Sequence, residues 1–396
     1  MYRDIILQII DAAINGKTLD LSNYINDQEF MRIMKEQTFL PFLYKVDKRK
    51  EFRKYYYQSC LIHEKFNEVG KLVDDILTKN NIPHVFLKGY ELQNLYPDPN
   101  LRMLGDIDLL VPEDKYNTSI NILKENGFIG NEENGLHIEL YKDNVEIELH
   151  HRLVNEGRYD EFFFKNPFDN LKDNLNHFND NYNFLYIIAH YTEHIVQEAG
   201  LRPLIDIYLM LKKYNLDFEY INTSLKSMGL DKFYNMILNE ISITFNYNEI
   251  PFTKNKQVLD MIDYSLRSGI HGFGHNAKDS TTKNIERENN GNKIKKIFKS
   301  LFIPLKRLFE LYPWSKLIIT ISFAYLFRFF YLIKNRRNKL KETISYKQDD
   351  SFKLLQSLGL YSNDKYFSFN FFSINVINID IKKVINILLK YNPMIP

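Results

Sequence analysis

Gly105-Asp106-Ile107-Asp108-Leu109-Leu110-Val111 is the stretch on which the reading of this 396-residue chain turns. On a β-strand, residues two apart share a face. Asp106 and Asp108 therefore present paired carboxylates, while Ile107, Leu109 and Val111 point the other way into a core. Phe86-Leu87-Lys88-Gly89 lies upstream, a short apolar strand followed by a turn. Downstream, Val145-Glu-Ile-Glu-Leu-His-His151 forms a second alternating strand, with Glu146, Glu148 and His150 on one face. Three carboxylates drawn to one place suit Mg²⁺ (or Mn²⁺), a hard cation that takes oxygen ligands and leaves room for substrate phosphates. The pattern is that of metal-assisted transfer from a nucleotide.

The rest of the composition is ordinary for a globular chain, at 44% hydrophobic and 26% charged. The 27 Tyr and 30 Phe, with abundant Asn, Lys and Ile, read as the codon bias of a low-GC bacterial genome. Cys60 is the only cysteine, so no intramolecular disulfide can form. The opening MYRDIILQIIDAAING lacks a basic leader and a small-residue cleavage site, and reads as an amphipathic helix. A cytoplasmic location is expected. Net charge is only +2, yet residues 293–341 carry thirteen Lys or Arg against one acid, Glu310. The remainder of the chain is accordingly at −10. Such a segment calls for an anionic partner: a phospholipid surface, a nucleic acid or a phosphorylated substrate.

Four regions follow from the patterning. Residues 1–78 have helical spacing throughout and form an N-terminal helical region. Residues 79–180 carry the mixed pattern: strands at 84–87 and 106–111, a helix over 112–127, and two strands, 137–141 and 145–151, joined across Lys142-Asp143-Asn144 as a hairpin. Residues 181–345 are helical again. There YNFLYIIAHYTEHIVQEA breaks at Gly200 and resumes as RPLIDIYLMLKKY, with Pro203 suited to a first helical turn. Within this region, residues 268–292 are polar and read as a link. Residues 346–396 form a tail of unassigned role, with an alternating run, FSFNFFSINVINIDI, ahead of a closing helix. The apolar run from Leu317 to Ile333 holds 17 residues with Arg328 at its middle. At ~1.5 Å per residue it reaches about 25 Å, short of the ~30 Å hydrocarbon layer. A buried core helix is the expected outcome, with interfacial membrane contact through 293–341 as the other.

Taken together, FLKG, then R-x-x-G-D-I-D-L-L-V, then E-L-H resemble the uncharacterised nucleotidyltransferase family of the polymerase-beta-like superfamily. The superfamily pattern is a glycine turn after a first strand, a D-x-D on the next, and a third carboxylate on a later strand. The resemblance continues through AHYTEH (Ala189 to His194) and LRPLIDIYLML (Leu201 to Leu211), then Phe302 to Pro304, Tyr312-Pro313 and Arg328. It implies an α+β fold, with a small mixed β-sheet nucleotidyltransferase core flanked by N-terminal and C-terminal helical regions. It also selects Glu148 over Glu146, which alternation alone places equally well.

The roles implied are specific. Asp106, Asp108 and Glu148 would hold two Mg²⁺ ions and carry catalysis, Glu148 as ligand or as base towards the acceptor. Lys88, Gly89 and Arg102 would bind the nucleotide, the two cations offsetting triphosphate charge. His190 and His194 share one helix face and read as packed, hydrogen-bonded residues or as substrate contacts. His137, His150 and His151 are open between structural and functional roles, and Arg202 at a helix start could hold an anion. The donor would be a nucleoside triphosphate and the acceptor a small molecule or peptide in a biosynthetic pathway. An NDP-sugar donor is the rival, because glycosyltransferases also use D-x-D. Those folds, however, place a run of strands before the motif, where this chain is helical. A noncatalytic membrane- or RNA-binding module would have no need of all three carboxylates. Template-directed polymerisation lacks a duplex-binding module.

Overall fold

In the computed structural model, residues 2–361 are described, apart from 131–136, 155–160, 162, 173–175, 198, 248–254, 270–277, 279, 290 and 317. Five strands form one mixed sheet: β1 (Val85–Phe86), β2 (Ile107–Leu110), β3 (Ile129–Gly130), β4 (His137–Lys142) and β5 (Val145–His150). Their order across the sheet is β1-β2-β5-β4-β3, and only the central β2–β5 pair is parallel. The hairpin between β4 and β5 turns on Asp143 and Asn144, both at positive φ (52° and 60°). That is the geometry of a two-residue turn whose twist matches the flanking strands.

Alternation along β2 splits its side chains between two cores. Ile107 and Leu109 join Val145, Ile147 and Leu149 on one face, all fully buried. They pack against the long helix Lys50–Lys79, whose Phe66, Val69, Val73, Ile76 and Leu77 recur at three- and four-residue spacing. Leu110, on the opposite face with Asp108, belongs instead to the core of the helical regions. That core is built around helices Asp180–Ile195 and Arg202–Lys213. Asn179 caps the first by accepting from the Tyr182 N–H at 2.9 Å, and Pro203 sits in the first turn of the second. The fold is therefore α+β, a small mixed sheet flanked by helices, with the Asp108 face of the sheet turned towards helical cover.

Two expectations are corrected. The polar stretch within 268–292 contains a helix, Ser280–Asn289. Ile285 is fully buried there, and Glu286 is clasped by Lys278 Nζ at 2.8 Å and by the Tyr346 hydroxyl. These contacts supply what composition lacked. The apolar run near residue 317 forms helix Ile318–Asn335, but it is not a core helix. Phe323 is 62% exposed and Phe327 57%, and of its described side chains only Ala324 is buried. Arg328 stays near the surface because its Nε donates to the Ser300 carbonyl at 2.9 Å. No helix among the described residues is long and apolar enough to cross a membrane. The alternating run and closing helix expected beyond residue 361 lie outside the described residues.

One buried acid sets a pH dependence of stability. Glu240, on helix Asp231–Phe245, is 1% exposed, and neither carboxylate oxygen has a hydrogen-bond partner among the described residues. Burial pushes its pKa from 4.5 up to about 8. The unfolded chain releases this proton near 4.5 and the folded one near 8, so stability falls across that window, by about 1.4 kcal/mol per pH unit. Glu240→Met removes the penalty. Urea midpoints of variant and wild type are expected to coincide near pH 4.5 and diverge upwards, reaching about 3 kcal/mol in the variant's favour at pH 7. A gap that does not widen with pH contradicts this.

Candidate active site

The parallel pairing of β2 with β5 sets Asp108 directly opposite Glu148 in register. Because paired residues share a face, the two carboxylates meet above the sheet. Asp106 enters from the turn before β2, and ligand oxygens of Asp106, Asp108 and Glu148 all lie within 4.8 Å of one another. Proximity separates the two glutamates left open by alternation, since the cluster takes in Glu148 and not Glu146. Glu146 pairs with Tyr141 two steps along β5, among Glu139 and Tyr141 rather than in this cluster.

Basic groups knit the carboxylates together. Lys88 Nζ donates to Asp108 Oδ1 at 2.7 Å, from a residue at φ +48°, a left-handed conformation that a non-glycine residue adopts at a cost. His150 Nε2 lies 3.1 Å from Asp108 Oδ1 and 3.2 Å from Glu148 Oε2. His137 Nε2 stands 3.7 Å from Glu148 Oε1, so His137, Glu148 and His150 form a second cluster that shares Glu148. The electrostatics divide the aspartates. Burial, together with the charges of Asp108 and Glu148, pushes the Asp106 carboxyl up to about 7. Burial acts on Asp108 in the same direction, but Lys88 and His150 hold it well below the ordinary carboxylate range. The donor set is all oxygen, compact and half-neutralised, which fits a divalent cation better than a structural ion pair.

Facing the carboxylates, helices Asp180–Ile195 and Arg202–Lys213 close a cleft that Lys88, His190, His194 and Arg202 also line. The two histidines hydrogen-bond through their Nε2 atoms at 2.7 Å, so one donates and the other accepts. Burial, with Lys88 and His194 nearby, lowers the His190 pKa well below normal, so this ring is neutral.

The two arginines are used differently. Arg102 is 6% exposed and gives its fork to Asp206, Nε to Oδ1 at 2.9 Å and Nη2 to Oδ2 at 2.8 Å. The Tyr96 hydroxyl donates to the same Asp206 Oδ1. Nη1 turns towards Gly89, where a Cβ would approach it to 2.5 Å, so glycine is required for the guanidinium to lie there. Arg202 donates from Nη1 to the Met103 carbonyl at 2.9 Å and takes part in none of the ion pairs among the described residues. Its pKa is lowered by burial and by Arg102. The sequence-predicted residues Lys88, Gly89, Arg102, Asp106, Asp108 and Glu148 thus all line one cleft. The bidentate Arg102–Asp206 pair was not foreseen.

Residues 26–246, more than half of the chain, match the family model described as uncharacterised nucleotidyltransferase. The chain belongs to this family. No curated protein and no solved structure matches it. Membership supports a nucleotidyl-transfer role and implies a nucleotide donor.

Proposed function

We propose that the cleft transfers a nucleotidyl group from a nucleoside triphosphate to a hydroxyl or phosphate oxygen of a small-molecule or peptide acceptor. The convergence of Asp106, Asp108 and Glu148 within 4.8 Å on one sheet face is the observation that carries this reading. These three residues would hold divalent cations, magnesium or manganese. Such ions supply charge neutralisation on the phosphates and a lowered pKa for a coordinated nucleophile.

The chain's own groups provide the rest. Lys88 sits between Asp108 and the cleft, where its ammonium can exchange a carboxylate for a phosphate oxygen without crossing solvent. Arg202 offers a cleft-lining guanidinium that makes no ion pair among the described residues, and is better disposed than Arg102 to meet a polyphosphate. Arg102, tied to Asp206, positions the loop before β2 and leaves only Nη1 towards the nucleotide side. His150 keeps the Asp108 and Glu148 carboxylates oriented, and the hydrogen-bonded His190–His194 pair forms the wall facing them. Glu148 would serve as cation ligand or as proton acceptor for the incoming oxygen, with His137 beside it. The regions 1–78, 79–180 and 181–345 are read as helical cover, catalytic core and cleft-closing helices.

The test is donor identity. The purified chain is incubated with Mg²⁺ and each α-³²P nucleoside triphosphate, or with sugar-labelled NDP-sugars, and a candidate acceptor pool. Label from one triphosphate appearing in the acceptor fraction, with pyrophosphate released in equal amount, is the expected result. Transfer of sugar label alone would overturn the reading and establish the D-x-D as a glycosyltransferase site.

A further inference from the structure

The basic segment presents an apolar surface that the cleft chemistry does not use. Eleven of the seventeen exposed large hydrophobic residues among the described residues fall between Ile294 and Tyr331. Phe298, Phe302, Trp314, Phe323, Phe327 and Phe330 are each between 45% and 62% exposed. They arise on helices Lys293–Leu301 and Ile318–Asn335 and the turns between them. These elements pack on one another and on helix Arg337–Ser345. The Tyr325 hydroxyl donates to the Ile303 carbonyl at 2.8 Å, and Arg328 Nε to that of Ser300, so the helices are held as one layer. Residues 293–341 carry thirteen Lys or Arg and a single acid.

A monomer rarely leaves so many large apolar side chains in water in one place. Charge and shape together select what covers them. Lys and Arg flanking Trp, Phe and Leu on short amphipathic helices match the interface of an anionic bilayer, where apolar side chains enter the acyl boundary and cations meet the headgroups. A span is not supported: no described helix is both long and apolar enough to cross a bilayer, and Arg328, midway along its helix, is tied to a neighbouring element in the layer. Single-stranded nucleic acid would use aromatic faces for stacking, but Ile294, Leu305, Leu311 and Leu326 are as exposed as the rings and have no base to stack on.

We infer that residues 293–341 form a monotopic membrane-docking face that holds the enzyme on an anionic lipid surface. The inference stands apart from the donor chemistry, since its test reads binding and not transfer.

The full chain is floated with phosphatidylcholine vesicles with and without phosphatidylglycerol. Binding at least about tenfold stronger to the phosphatidylglycerol vesicles, weakened by salt, is expected. The surface variant F323S/F327S/F330S is expected to lose about tenfold or more of it with its melting temperature unchanged. K334E/K339E is expected to lose the preference for phosphatidylglycerol. Absence of vesicle binding would overturn the inference, as would binding untouched by the serine substitutions. So would a serine variant that converts a dimer to a monomer, which would make the face a contact between two copies. Tight binding of single-stranded RNA that vesicles fail to displace would overturn it in favour of nucleic acid.

Discussion

Asp106→Asn is expected to abolish nucleotidyl transfer while making the metal-free protein more stable. The carboxyl is half-buried beside Asp108 and Glu148 and is pushed up to about 7, so the folded state resists its ionisation. An unfolded chain ionises it near 3.8. Between those values the folded state holds the extra proton, and stability drops as pH rises. Asparagine keeps the shape without the charge. In EDTA the variant should match wild type near pH 4 and exceed it above pH 7, by about 1–3 kcal/mol after allowance for partial exposure. Transfer activity should fall by about 10³-fold or more, roughly 4 kcal/mol at ~1.4 kcal/mol per decade, because a cation ligand is lost. Asp108→Asn is the informative contrast: it takes the partner from Lys88 and His150, so it should lose activity without the gain. Thermal melts across pH and a labelled-transfer assay separate the two effects. An Asp106→Asn enzyme with near-normal turnover would remove this residue from the chemistry.

Asp206→Ala is expected to cost about 3–5 kcal/mol, enough to threaten folding at physiological temperature. It leaves the Arg102 guanidinium buried with neither of its carboxylate bonds and strips the Tyr96 hydroxyl of its acceptor. Most of that cost is the penalty of an unpaired buried charge. Arg102→Met with Asp206→Leu should therefore recover most of the stability. The double variant also weighs Arg102's part at the nucleotide. Recovered stability with recovered turnover makes the arginine a purely structural pin. Recovered stability without turnover gives Nη1 a role towards substrate. A double variant no more stable than Asp206→Ala would contradict the account.

Local chemistry was legible where period and type agree. The alternation of Asp106 and Asp108 against Ile107 and Leu109, and the hairpin at Asp143-Asn144, follow from strand geometry and turn preference. Alternation alone left Glu146 and Glu148 level, because both share a face of β5, and only the family resemblance preferred Glu148; its proximity to Asp106 and Asp108 is a tertiary property that no local pattern carries. Arg102 showed the same limit. Its type suggested a phosphate partner, and its place in the cleft leaves that a proposal, but the bidentate pair it makes with Asp206, 104 residues away, had no local signal to announce it. The Ile318–Asn335 helix failed for the opposite reason. Its apolar content indicated burial, whereas the fold leaves much of the helix exposed, and hydropathy cannot tell a core helix from an exposed apolar one.

A ribosome emits Arg102 more than a hundred residues before its partner Asp206, and β2 forty residues before β5. At ~5–20 residues per second, the nascent carboxylate strand waits several seconds without its covering helices. A parallel pair cannot zip from a hairpin and must wait for its crossover. Until helix Arg202–Lys213 emerges, the strand's acids lack the helical wall that closes the cleft over them. On the proposed function, competence for chemistry thus arrives late in synthesis, and a fragment ending before Asp206 is expected to be a poor consumer of nucleotide.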